Sequence, residues 1–134
     1  VIFQSPILSG AKLANSLETG LEPLLSFKSE IFVRSEAELQ DMVKKTIALS
    51  LKIPASGELN IAFLNQPITN EQKEKLLELR SLKDDFVILE HEVFWICQTK
   101  QSESKFSNAV FERKLKIKTT FRRASMLISL MKAI

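Results

Sequence analysis

LNIAFLNQPITNEQKEKLLELRSLKDDFVILEHEVFWIC, residues 59–97, is the stretch from which the fold is read. LNIAFL is a strand, and Pro67 closes it. Thr69 then caps an amphipathic helix over NEQKEKLLELRSL, because its hydroxyl can accept from a free N–H of the first turn. Asp84-Asp85 turns the chain into Phe86-Val87-Ile88-Leu89, and the short Glu90-His91-Glu92 bend leads to Val93-Phe94-Trp95-Ile96-Cys97. Both runs are rich in β-branched and aromatic residues and predict a hairpin.

Beyond this stretch come a polar loop, a helix over 105–115 capped by Ser104 or alternatively Ser107, and a short alternating strand over 116–121. A final helix over 122–133 buries Met126, Leu127, Leu130 and Met131. From residue 58 the order is strand, helix, strand, strand, helix, strand, helix, whose first six elements follow the ferredoxin-like β-α-β-β-α-β pattern. Before it, residues 52–57 (KIPASG) have linker chemistry. Upstream lie a strand at Val1-Ile2-Phe3-Gln4, a leucine-rich helix opened by Pro6 and ended or kinked near Glu22 by Pro23, and a strand at 30–34 (EIFVR). A helix entered through a Ser35/Glu38 capping box follows. The expectation is an α+β chain built as a two-layer sandwich, with a partial first unit over 1–52. A ferredoxin-like second unit with an extra C-terminal helix spans 58–134.

The composition supports an ordinary globular protein of one compact domain or two very small ones. The chain has 134 residues, 45% hydrophobic and 26% charged, enough apolar surface to offset ordering entropy. No apolar run approaches the roughly 18 residues of a membrane helix, and the start shows no basic leader followed by an apolar run. Cys97 is the only cysteine, which excludes an internal disulfide and fits a cytoplasmic protein. The sequence opens at Val1, without Met and inside an expected strand, as a chain trimmed at its amino terminus would.

Charge is unevenly spread. Residues 100–134 carry nine Lys/Arg against two Glu, whereas residues 1–99 carry ten Lys/Arg against fourteen Asp/Glu. An anionic partner is one explanation; pairing of the basic end with the acidic remainder is the plainer one. Arg122 and Arg123 are the informative pair. At the expected start of the last helix they stand at its positive end, where dipole complementation would not place them, and where free N–H groups favour an anion. The candidate anion site is therefore Lys105, Arg113, Lys118, Thr119, Thr120, Arg122 and Arg123.

Other chemistry finds little support. His91 is the only histidine; it lies between two glutamates in a bend, with no nucleophile or orienting group in view. Cys97 on an alternating strand is expected to be a small core residue. One His and one Cys do not make a usual zinc site, and Gly10, Gly20 and Gly57 form no phosphate loop. Neither a metal nor a cofactor is expected. Phe63, Phe86, Phe94 and Trp95 could stack on RNA bases if exposed on a sheet, but a core of this size needs them.

Several segments resemble the bacterial domain of unknown function number 1697. These are VIFQS, EIFVRSEAEL at 30–39, LNIAFLNQP at 59–67, SKFSNAVFERKL at 104–115, against a pattern near S-K-L-T-N-x-x-x-E-R-x-L, and TTFR at 119–122. The resemblance implies two ferredoxin-like halves in an uncharacterised bacterial cytoplasmic protein. The Gly-rich segment near that family's amino terminus is absent, and Arg123 and Ala124 replace its Asn-Trp. Three functions follow as expectations. The first is a non-catalytic binding module taking an anionic ligand, nucleic acid included. The second is an enzyme acting on a phosphorylated or carboxylated small molecule, its site completed by an amino-terminal segment. The third is an assembly domain, such as a homodimer, pairing the edges at 1–4 or 30–34.

Overall fold

The computed structural model describes residues 2–7, 9–25, 31–119 and 121–133. Helix α1 (Gly10–Leu21) starts at Ser9, whose hydroxyl accepts from Lys12 N, and passes into a 3-10 turn at Glu22–Leu24 containing Pro23. Helix α2 (Glu36–Ser50) is capped by Ser35, which accepts from Glu38 N. Then follow β1 (Glu58–Phe63), α3 (Asn70–Leu77), β2 (Asp84–Ile88), β3 (Glu92–Cys97), α4 (Asn108–Leu115), β4 (Phe121–Arg123) and α5 (Ala124–Lys132). Thr69 and Gln72 form a complete capping box at α3, two free N–H groups being satisfied reciprocally.

The four strands form one antiparallel sheet in the order β2-β3-β1-β4. Alternation along each strand sends side chains to two faces, and both faces are covered. One core contains Ala62, Phe86, Trp95, Cys97, Phe106 and Phe111 beneath α3 and α4. The other contains Leu59, Ile61 and Phe94 with Leu39 and Met42 of α2 and Ala124 and Leu127 of α5. The expected two-layer sandwich is thus corrected to three layers, helix–sheet–helix. The second core draws on residues from both sides of the 52–57 linker. Gly57 is needed in that linker, because a Cβ there would collide with Ile53 Cγ2 and lie 2.7 Å from the Cys97 carbonyl.

The expected strands at 1–4 and 30–34 are also corrected. Residues 2–4 and 31–34 are irregular; Val1 and Glu30 lie outside the described residues. The backbone of 31–34 is met by side chains rather than by a ladder. Glu18 Oε1 accepts from Ile31 N at 2.8 Å, and Asn65 Nδ2 donates to Ile31 O at 3.1 Å. Arg34 completes the docking. Its Nη2 donates to the carbonyls of Leu64 and His91 at 2.8 and 2.9 Å, its Nε meets Glu92 Oε1 at 3.2 Å, and its guanidinium stands 5.6 Å from the centre of the Phe63 ring. Among the described residues, strand-edge assembly through 2–4 or 31–34 therefore lacks its strands, and the open edges of the described sheet are β2 and β4.

Candidate functional site: the basic α4–β4 edge

Helix α4 begins three residues later than expected. Ser107, not Ser104, is its cap; Ser104 Oγ instead donates to the buried Asp84 carboxylate at 2.6 Å and accepts from Phe106 N. Lys105 accordingly lies in the loop before α4. Arg113 and Lys114 occupy the last turn, where cations complement the helix dipole. Lys116 ends the helix in the left-handed region, at φ 60° and ψ 33°, so it shares no strand face with Lys118. The chain from 116 to 119 is irregular.

Two side chains of α4 hold this loop. Glu112 Oε1 accepts from Thr119 N at 3.3 Å and from Asn108 Nδ2 at 3.3 Å, and Asn108 Oδ1 accepts from Phe121 N at 3.0 Å. Thr119 is buried, and its hydroxyl donates to the Phe63 carbonyl at 2.7 Å, which commits its proton to the fold. Thr120 lies outside the described residues.

Arg122 and Arg123 lie in edge strand β4, opposite Ile61 and Asn60 of β1, and Arg123 is also the N-cap residue of α5, without a side-chain cap hydrogen bond. Neighbouring strand residues point to opposite faces, so the two guanidiniums diverge. Arg123 Nη2 stands 3.5 Å from Glu58 Oε1. It borders a 280 Å³ cavity with Glu58, Thr46 and Ser125 at the start of α5. The Glu58 carboxylate already matches the only cation there, and Thr46 donates to Met42 O, so this end of α5 is poorly furnished for an anion.

The structure brings Arg113, Lys118 and Thr119 together at the end of α4, Glu112 tying Thr119 to that helix; Arg122, opposite Ile61, is directed by strand alternation to the sheet face covered by α2 and α5. The structure does not bring Lys105 there, which is separated from Arg113 by the length of α4, about 12 Å at 1.5 Å per residue, nor Arg123, which is turned to Glu58. At the end of α4 and in the loop after it Arg113, Lys114, Lys116 and Lys118 are all exposed, as is Arg122 on edge strand β4. Among the described residues none of the five lies within 4.0 Å of a carboxylate.

Of the other candidates, Cys97 is fully buried. Burial pushes its thiol up, hydrogen bonding with Thr99 opposes this, and the nearby Asp84 charge reinforces it, the reverse of an activated nucleophile. His91 offers its backbone carbonyl to Arg34 and Leu64. Phe86, Phe94 and Trp95 are buried and Phe63 half-buried, so among the described residues these aromatics leave no sheet face open to bases. The described residues contain no group of three or more His, Cys, Asp or Glu arranged to hold a metal ion, and no helix long and apolar enough to cross a membrane. Sequence reasoning missed Arg34, the most fully engaged cation described. Its signal was its place between an apolar run and a helix cap, in EIFVRSEAEL.

No curated protein and no solved structure matches the chain. A family match covers residues 1–94, so the resembling stretches at 104–115 and 119–122 lie beyond it while the earlier ones fall inside. That match spans well over half of the sequence, and the chain belongs to the family described as Protein of unknown function (DUF1697).

Proposed function

We propose that the chain is a non-catalytic binding module whose α4–β4 margin takes the phosphate backbone of nucleic acid. The single observation behind this is the row of exposed cations along residues 113–122, Arg113, Lys114, Lys116 and Lys118 with Arg122 on the adjoining edge strand, without carboxylate partners among the described residues. A row suits a polyanion better than one phosphate, which needs donors converging on a point, and here the Thr119 hydroxyl is already engaged. With the aromatics buried, the reading is electrostatic and indifferent to base sequence. The same row opposes self-association through β4, since two copies would bring like charges together.

The remainder of the reading concerns the scaffold. We take 58–134 as a ferredoxin-like unit, supported by the β-α-β-β-α-β order and the β2-β3-β1-β4 sheet, and 1–52 as part of a similar unit in a cytoplasmic bacterial protein.

Fluorescence anisotropy with a labelled oligonucleotide tests the binding. Affinity in the range of about 10⁻⁴–10⁻⁶ M is expected, falling steeply with salt. Lys118→Glu with Arg122→Glu should weaken it at least about tenfold and lower the salt slope by about two. Binding unchanged by that double variant, or no binding at low salt, would overturn the proposal.

A further inference from the structure

A cleft of 570 Å³ opens at the other end of α4, between the end of α3, the loop before β2 and the segment leading into α4. Its size lies in the range of about 300–1,000 Å³ typical of small-molecule sites. Leu79, Phe106 and Val110 give it an apolar floor. Leu82 stands at its mouth 99% exposed, an apolar side chain with nothing over it. Glu78, Lys83, Glu103 and Lys105 also line it, and among the described residues none of the four is in an ion pair.

The cleft is held open in advance by Asp84, 4% exposed, on its inner side. Its carboxylate accepts from Trp95 Nε1 at 2.8 Å, from Ser104 Oγ at 2.6 Å and from Ser81 Oγ at 3.4 Å. Ser81 also accepts from Lys83 N and Asp84 N, and Ser104 from Phe106 N. One buried carboxylate thus fixes both walls, and with three donors committed to it, Asp84 contributes shape rather than a charge for a ligand to meet.

We infer that this cleft binds a small zwitterion with an apolar body, an α-amino acid. Two lysines and two glutamates around an apolar floor offer a partner to each charge, while Leu82 and Phe106 take the side chain. A simple anion would leave the glutamates facing it, and a simple cation the lysines. This assigns Lys105 to a site separate from the basic margin.

Titration calorimetry with L-tryptophan, tryptamine and indole-3-propionate separates the charges, because the second lacks the acid and the third the amine. Tryptophan should bind most tightly, at least about tenfold over either analogue. Lys105→Ala should erase its advantage over tryptamine, and Glu103→Ala its advantage over indole-3-propionate. Leu82→Asp, at an exposed position where folding is not at risk, should weaken all three. Oligonucleotide binding should be unaffected by Leu82→Asp and Glu103→Ala, so the two sites fail or succeed separately. Absence of binding at millimolar ligand, equal binding of all three compounds, or binding unchanged by Leu82→Asp would overturn the assignment.

Discussion

Asn60 stands in the middle of central strand β1, opposite Trp95 on β3 and Arg123 on β4. It is fully buried, and neither its Oδ1 nor its Nδ2 has a hydrogen-bond partner. An unsatisfied buried polar group costs about 1–3 kcal/mol, and leucine has nearly the same shape without the amide. Asn60→Leu is therefore expected to stabilise the fold by about 1–2 kcal/mol in urea unfolding. A loss of stability would show that the amide is satisfied in solution, as by an ordered water. Other polar residues, those of the family-like segment at 104–115, turn out to be fastenings. In SKFSNAVFERKL, Ser104 holds Asp84, Ser107 caps α4, and Asn108 and Glu112 hold the loop to β4. Phe106, Phe111 and Leu115 fill the core.

At the scale of elements, the hairpin, α3 with its Thr69 cap, and the strand at 59–64 were legible because periodicity and capping chemistry are local. The region after α4 was not. KIKTTF alternates as a strand would, yet strand formation needs a partner. Only Phe121–Arg123 pair with β1, while Glu112 claims Thr119 N ahead of them and Asn108 claims the N–H of Phe121 itself. That shift placed Arg122 on a sheet edge and Arg123 where β4 passes into α5, and divided the expected anion site. The third layer had left a trace, since LNIAFL and VFWIC are apolar on both alternations, as strands covered on two faces are. Lys116 is the only non-glycine residue with positive φ among those described. A left-handed conformation costs a side-chain-bearing residue roughly 1–2 kcal/mol, part of which glycine's greater unfolded-state entropy offsets. Lys116→Gly should raise stability by about 0.5–1 kcal/mol while slightly weakening oligonucleotide binding, measured by urea midpoint and anisotropy on one preparation. A lower midpoint would mean that the lysine side chain contributes packing at the helix end.

For the whole molecule, the question is whether 1–52 and 58–134 behave as two units or one. Leu39 and Met42 of α2 share a core with Ile61, Phe94 and Leu127 from beyond the linker, and Arg34 fastens the segment before α2 to Leu64, His91 and Glu92. Removing α2 would expose the part of that sheet face that α5 does not cover, so 58–134 is expected to lose much of its second core without it. The chain should unfold in one cooperative step, with helicity by circular dichroism and fluorescence of Trp95, the only tryptophan, following the same urea curve. Arg34→Leu leaves Glu92 buried without its cation and two carbonyls without their donor. Breaking such a buried pair costs about 3–5 kcal/mol, and because Arg34 joins the parts, both signals should move to lower urea together. Loss of helicity in a separate, earlier step that left the Trp95 signal intact would instead show that 58–134 stands without the layer laid over it.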